Sequence, residues 1–499
     1  MKRQMKRRCY KRRDFLKLAG TTAASLLVSR YSAAPAKDAP VTRPPGFLFI
    51  FIDDMGWGDV GFNGGTFYQT PNIDRLARQG MVFTSAYANA PNCAPSRACL
   101  MSGQYTPKHG VYTVGTSARG KANLRKLIPV KNKVMLDPET TTIAEALKSA
   151  GYVCGHFGKW HLASDKNYRP GRLGDPGSQG FDDVLTTRKP SKKKDPKADA
   201  HNTRQITDRA IAFLKNNKDK PFFCYVSHNT IHTPLMENPR LIAKYEAGPG
   251  SGRPGNNPVV AAMIETLDAN VGRLLDKLEN LKIADNTVVF FFSDNGGVFS
   301  LSSMGPLRGG KGTLYEGGIR VPLAVRWPGR IKPGVVCDVP VIGIDFYPTM
   351  LDMAGAAKPS SQPLDGQSLV PLLKGRAQLE RRAIFWHFPA YLESNYGYPG
   401  NWRTTPAGSV RTGDYKLIEF FEDGRLELYN LKEDIAEKNN LAERMPEKTG
   451  ELHKLLTDWR NSVNAPVPTE RNPKYDPNMT SATKTARPII YPAEAKEHL

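Results

Sequence analysis

The sequence predicts an α/β protein, with a large mixed sheet flanked by helices and a smaller C-terminal domain built of an antiparallel sheet and a helix. Three observations carry that expectation. Strand-length runs rich in apolar, β-branched and aromatic residues alternate with helically spaced apolar patterns over 44–375, as a sheet covered on both faces requires. After about Gly375 the runs shorten and are joined by Gly-Asp and Asp-Gly turns, the habit of antiparallel hairpins. The chain is 499 residues long, more than one hydrophobic core ordinarily organises.

Gly46 to Ile52 reads as a buried strand. Asn72 to Arg78, opened by Pro71 and stopped by Gly80, reads as a short helix leading into strand Met81 to Phe83. Thr142 caps a helix running to Ala150, and Gly151 ends it before strand Tyr152 to Gly155. Phe222 to Ser227 and Thr287 to Phe292 are two further buried strands. Between them Met263, Leu267, Val271, Leu274, Leu275 and Leu278 recur at helical spacing, which marks a core face without chemistry. Arg188 to Asp199, with Lys192-Lys193-Lys194, reads as a solvated insertion. In the second domain, 376–465, strands are expected at Arg381 to Phe388, Gly408 to Arg411, Tyr415 to Phe421 and Leu426 to Leu431, with a closing helix near Glu447 to Asn461. The tail, 466–499, is Pro-rich and polar and is expected to wrap the surface or stay loose. No internal repeat is evident.

The N-terminus stands apart. Lys11-Arg12-Arg13-Asp14-Phe15-Leu16-Lys17, the apolar run Leu18 to Val28 and Ala34-Pro35-Ala36 resemble a twin-arginine signal peptide over 1–36. The apolar run is too short to span a bilayer, and Cys9 precedes it, so it is not placed as a lipid-anchor cysteine. A basic nucleic-acid-binding arm has no reason to carry Phe-Leu-Lys after paired arginines and then an apolar run. A bacterial protein passed to the twin-arginine export machinery is therefore expected, periplasmic or secreted, with no membrane span in its mature form. Of the formal charge of +22, residues 1–36 hold +9, leaving +13 on the mature chain. Such an excess favours polyanions or is simply a basic surface. The remaining cysteines form no disulfide framework and no C-x-x-C metal pair.

Chemistry-bearing residues stand where the strands stop. Asp53-Asp54 follows the first strand and Asp294-Asn295 a distant one, and a parallel sheet brings both pairs to its carboxyl edge. Three carboxylates and an amide oxygen form a hard donor set that suits Ca²⁺ or Mg²⁺. Each pair alone reads equally as a cap or a turn. Gly158-Lys159-Trp160-His161 and His228-Asn229-Thr230-Ile231-His232 follow two other strands; a lone His is more often structural, but these stand beside other polar groups. Gly309-Gly310-Lys311-Gly312 projects one cation from a loop without bulk, or is a flexible loop. Cys93 opens the run Cys93-Ala94-Pro95-Ser96-Arg97, followed by small residues and Ser102-Gly103.

In order, Asp53-Asp54, the Cys93 run, Gly-Lys-Trp-His, His-x-Pro, Asp-Asn-Gly-Gly and Gly-Gly-Lys-Gly resemble the type I, formylglycine-dependent sulfatases of the alkaline phosphatase superfamily. The resemblance covers nearly the whole mature chain and implies an alkaline-phosphatase-like fold. It implies that a maturation enzyme converts Cys93 to formylglycine, whose hydrate offers one hydroxyl to attack sulfur and a second whose deprotonation expels sulfate. Asp53, Asp54, Asp294, Asn295 and the modified Cys93 would ligate one cation, Ca²⁺ with Mg²⁺ as the alternative. Arg97 would hold the hydrate. Lys159, His232 and Lys311 would cradle the sulfate oxygens, His232 or Lys311 would protonate the leaving oxygen, and His161 would accept the proton that releases sulfate.

The implied substrate is a sulfated poly- or oligosaccharide rather than nucleic acid, with galactose or N-acetylgalactosamine sulfate as candidate units. His228, His387 and Arg411 are candidate substrate contacts, and the last two read equally as packing and salt-bridge residues. Two other readings stay open at this point: a phosphate or phosphonate ester hydrolase on the same scaffold, and a non-catalytic glycan-binding protein should Cys93 remain a thiol.

Overall fold

The computed structural model describes residues 43–163, 167–376 and 378–479. The proposed signal peptide, 1–36, and the tail beyond 479 lie outside them. Eight strands form the main sheet, in the spatial order Asp183–Thr186, Val153–Gly158, Phe222–Ser227, Gly46–Ile52, Thr287–Ser293, Leu323–Arg326, Met81–Phe83 and Val335–Cys337. Leu323–Arg326 is antiparallel to both its neighbours and every other pairing is parallel, so the sheet is mixed.

The central strand shows why this sequence must be covered twice. Its side chains alternate between faces, and neither set is polar. Phe47, Phe49 and Phe51 enter one core with Ala94, Ala98, Ile143 and Phe346. Leu48, Ile50 and Ile52 enter the other with Ile73, Phe213 and Val271. All six strand side chains are fully buried, each worth roughly 1.5–3 kcal/mol relative to exposure. Helices Cys93–Ser102, Ile143–Ser149 and Phe346–Ala354 supply the first layer, and Pro71–Arg78, Thr203–Asn216 and Pro258–Asn280 the second.

Local signals place several of these helices. The Thr142 hydroxyl accepts from the Glu145 amide at 3.2 Å while the Glu145 carboxylate accepts from the Thr142 amide at 2.7 Å, a reciprocal cap worth about 1 kcal/mol. Asn257 caps Pro258–Asn280 through the amides of Val259 and Val260. The strand expected to stop at Gly155 continues to Gly158, because its pairing with Phe222–Ser227 runs unbroken to Gly158 opposite Ser227. Gly158 has φ +118° and a Cβ there would meet the Ser227 carbonyl oxygen at 1.9 Å. Only glycine fits, and the bend it permits turns Lys159 to His161 out of the sheet.

The second domain follows its prediction closely. Strands Ile384–Phe388, Ala407–Thr412, Tyr415–Phe420 and Arg425–Asn430 form an antiparallel sheet. Leu452 and Leu456 of helix Pro446–Ser462 pack on one face of it with Val410, Leu417 and Leu428. The other face, with Ile384, Trp386 and Ile418, packs on Tyr87, Ile319 and Ile344 of the larger domain. A short ribbon, Leu392–Glu393 with Trp402–Thr404, extends from it. The described start of the tail lies along 122–128: the Glu470 carbonyl accepts from Ile128 at 2.9 Å, and Asn472 donates to the carbonyls of Ala122 and Arg125. Among the described residues no helix is long and apolar enough to cross a membrane.

Candidate active site

The carboxyl edge of the sheet gathers the strand-end residues around the Cys93–Ser102 helix. Cys93 is its first residue, so its side chain sits at the positive end of the helix dipole. Every residue of the helix is buried, which is why it carries no polar stripe in the sequence. Arg97, one turn on, is fully buried and staples the strand ends together. Its Nε and Nη2 donate to Asp294 Oδ2 at 2.9 and 2.6 Å, and Nη1 donates to Ser227 Oγ at 2.5 Å and to the Lys159 carbonyl at 3.2 Å. Its guanidinium also lies 4.8 Å from the centre of the Phe51 ring. A residue so engaged orients its neighbours and supplies fixed positive charge beneath Cys93.

Three buried carboxylates each meet a cation. Lys159 Nζ donates to Asp53 Oδ2 at 2.6 Å, Lys311 Nζ donates to Asp54 Oδ1, and Arg97 holds Asp294. Lys311 Nζ is also 4.0 Å from Cys93 Sγ. His232 Nε2 lies 3.9 Å from Asp54 Oδ2. Burial opposes ionisation of Asp53, but Lys159, His232, Lys311 and Arg97 outweigh it and hold the carboxyl well below its usual range. Asp294 differs: burial, with Asp53 beside it, pushes it up to about 8 against the pull of Arg97. Burial also works against Lys311, yet Asp54 and Cys93 keep it above the ordinary lysine value. Burial lowers His232 to about 4, and burial with Lys159 and Arg97 holds His161 well below 6.5. Both imidazoles are therefore neutral at neutral pH.

Among the buried oxygens left without partners are Asp53 Oδ1 and Asn295 Oδ1, both in the strand-end cluster. An acceptor buried in this way costs about 1–3 kcal/mol unless something else completes it. Ligand atoms of Asp53, Cys93 and Asp294 lie within 4.8 Å of one another, and so do those of Asp53, Asp54 and His232. Oxygen donors dominate, so the residues fit a hard divalent cation, and an added double charge would also oppose the upward shift of Asp294.

Asp53, Asp54, Cys93, Lys159, His161, His232 and Lys311 line one cavity of about 640 Å³; Arg97, Asp294 and Asn295 are fully buried. The three candidate substrate contacts are not in its wall. His228 is fully buried with neither ring nitrogen hydrogen-bonded. His387 bonds the Pro466 carbonyl through Nε2 at 2.9 Å and stacks edge-on against Tyr112. Arg411 donates to the Tyr87 hydroxyl and lies over the Tyr87 ring. The last two follow the packing alternative: Arg411, paired with Ile384, lies on the sheet face that docks on the larger domain, and His387 lies on the other face, bonded to the tail at Pro466. The cavity instead uses residues with no marked sequence role: Arg119, Tyr168, Arg188, Lys189, Tyr396 and Arg403. Arg188 and Lys189, expected to be solvated, stand just beyond strand Asp183–Thr186 at the same edge of the sheet. The strand-end rule would have found them had that edge strand been visible in the sequence.

The family model described as "Sulfatase" matches residues 45–356, and the C-terminal model of N-sulphoglucosamine sulphohydrolase matches 310–462. A sulfatase of Formosa agariphila is 32% identical, over 89% of this chain and 93% of that protein. The N-acetylgalactosamine-6-sulfatase of Canis lupus familiaris is 32% identical, over 74% of this chain and 73% of its own. The crystal structure of Ps i-CgsB in complex with k-i-k-neocarrahexaose superposes with a TM-score of 0.68 at 27% identity, covering 84% of this chain and 93% of that one.

Proposed function

The chain belongs to the sulfatase family, as a sulfuric ester hydrolase, and from that premise we propose that it removes sulfate from a sulfated poly- or oligosaccharide. Galactose or N-acetylgalactosamine sulfate is the favoured unit; a relative named for N-acetylgalactosamine-6-sulfate and another solved with a carrahexaose support that class. The observation that carries the reading is the position of Cys93: at the wall of the cavity, on a helix N-terminus, 4.0 Å from Lys311 and within the same cluster as Asp53 and Asp294.

In the proposed mechanism Cys93 is present as formylglycine, made by a maturation enzyme. Asp53, Asp54, Asp294, Asn295 and the modified Cys93 would hold Ca²⁺, with Mg²⁺ as the alternative. When present, the two groups would supply a nucleophilic hydroxyl at neutral pH and charge to stabilise the transferring sulfuryl group. The chain's own residues do the rest. Lys159 and Lys311 hold the sulfate oxygens from opposite carboxylates, so each cation stays fixed before substrate arrives and needs no reorganisation. His232 Nε2, near both Asp54 and the cavity, gains a proton as negative charge enters and donates it to the leaving oxygen. His161, kept neutral by burial and by Lys159 and Arg97, accepts the proton whose loss releases sulfate. Arg97 keeps Asp294 and the Lys159 turn in register. Export through the twin-arginine route to the periplasm or beyond follows from the signal-like sequence over 1–36.

The test is free sulfate released from a panel of position-defined sulfated galactose and N-acetylgalactosamine oligosaccharides, by protein produced together with the maturation enzyme. Turnover of one position well above the rest is expected. Faster cleavage of phosphate or phosphonate esters than of any sulfate ester would reverse the assignment.

A further inference from the structure

Resting on the sulfatase reading above, we infer that Arg403 and Arg119 form a second anion subsite, built to receive another sulfate or a carboxylate carried by the same saccharide. The two guanidiniums share one acidic residue. Arg119 donates through Nε and Nη2 to the two carboxylate oxygens of Glu393 at 3.0 and 2.7 Å, a bidentate pair. Arg403 receives only carbonyls: its Nε donates to the Glu393 backbone oxygen at 3.0 Å and its Nη1 to the Lys311 backbone oxygen at 3.2 Å. Among the described residues no side-chain carboxylate hydrogen-bonds Arg403, and its Nη2 has no partner. Arg403 is 8% exposed and lines the cavity that holds Cys93.

A largely buried cation without a carboxylate is costly to maintain, and this one is held in place with care. The strand that carries it pairs antiparallel with Leu392–Glu393. Trp402 packs on Tyr391 and crosses Gly120, where a Cβ would meet its ring at 2.5 Å. At Gly312 a Cβ would stand 3.2 Å from Arg403 Nη1, so the glycine leaves the guanidinium its space. Burial, with Arg119 adding, lowers Arg403 to about 10, which leaves it cationic at neutral pH. Arg119, Glu393 and Arg403 together therefore carry one net positive charge, with Glu393 and Asp54 acting on Arg403 but neither hydrogen-bonding it through its carboxylate. Because Arg403 grips the backbone of Lys311, whose Nζ reaches Asp54 and Cys93, this charge stands one lysine side chain from the reacting centre. That span suits a second anionic group on the reacting sugar or on its neighbour.

The experiment compares kcat/KM of the wild type, Arg403→Gln, Arg403→Lys and Arg119→Gln on three disaccharides. One carries a single sulfate, one a second sulfate, and one a single sulfate beside a uronate carboxylate. The wild type is expected to prefer at least one doubly anionic substrate. Arg403→Gln should cut that preference about 10- to 100-fold, chiefly through KM, with Arg403→Lys retaining part and Arg119→Gln losing less. The arm on which preference falls identifies the anion as sulfate or carboxylate. Equal losses on all three substrates would make Arg403 a brace for the Lys311 loop and overturn the subsite, as would a wild type without preference. Thermal unfolding checks that each variant folds. Failure of the wild type to release sulfate from any of the three would strike the sulfatase reading itself, a result distinct from equal losses.

Discussion

Two clusters of buried charge lie in this protein, alike in residue type and opposite in completeness. Around Glu316, Lys416 Nζ sits 3.0 Å from Glu316 Oε1 and 2.9 Å from Glu437 Oε1, and all three side chains have no exposure. Tyr87 donates to Glu316 Oε2 at 2.7 Å, Arg320 Nη1 to the same atom at 3.2 Å, and the Glu316 amide to Glu437 Oε2 at 2.7 Å. No polar atom of Glu316, Lys416 or Glu437 is buried without a partner, and the cluster joins the two domains. Around Cys93, by contrast, Asp53 Oδ1 and Asn295 Oδ1 are orphaned and the group opens onto a cavity of about 640 Å³. Dense buried charge is therefore not itself a sign of chemistry. Unfinished hydrogen bonding beside a cavity is, because the missing partner has somewhere to enter.

The sharpest way to break this contrast is to remove one lysine from each cluster. Lys416→Met leaves Glu316 to Arg320 alone and Glu437 buried without its cation, and should cost about 3–5 kcal/mol of stability, read as a fall in urea midpoint. Lys159→Met should lower kcat about 100- to 1000-fold on a sulfate ester while losing less than half as much stability as Lys416→Met. Reversed outcomes would mean that the two clusters have been assigned the wrong way round.

Cation binding gives the next largest effect. Ca²⁺ at a hundredfold excess over its Kd should stabilise the wild type by about 2.7 kcal/mol, and Asp53→Asn should lose most of that gain in a thermal shift. Lys416→Met, though less stable, should keep it.

The smallest effect sharpens the closed cluster. Burial, with Glu316 beside it, pushes Glu437 up to about 7, whereas Lys416 and Arg320 overcome burial and pull Glu316 down to about 2. A carboxyl raised in the folded state stabilises it below the unfolded value, and that contribution is lost as pH rises through the folded one. The Glu437 contribution should therefore decline between about pH 4.5 and 7, while that of Glu316 is full above about pH 4.5 and is lost as pH falls from there to about 2. Melting of Glu437→Gln should accordingly be flatter than wild type across pH 5 to 7.5; an unchanged slope would remove Glu437 as its source.

The same contrast explains what the sequence could reveal. Gly46 to Ile52 is an apolar strand followed by Asp53-Asp54, so periodicity put the pair at a strand end, and the resemblance carried with the Cys93 run made it a metal-binding candidate. Cys93, Lys159, His161, His232 and Lys311 sit in short local patterns and were legible for that reason. The Glu316–Lys416–Glu437 cluster has no local pattern, since its members meet only when the second domain docks. Arg403 and Arg119 were missed likewise, being ordinary charged residues until the ribbon 392–404 folds over Lys311. His387 and Arg411 show the converse: polar residues in the second domain, one bonded to the tail at Pro466 and one on the sheet face that docks on the larger domain, and neither in the cavity wall.

The most direct test of the central claim joins two readings on one preparation: mass spectrometry of the Cys93 peptide, and sulfate release by wild type and Cys93→Ala. The account predicts formylglycine in the active wild type, and at least about a thousandfold loss of turnover in Cys93→Ala with its melting temperature preserved. Substantial sulfatase activity in a folded Cys93→Ala protein, or full activity with Cys93 still a thiol, would contradict it.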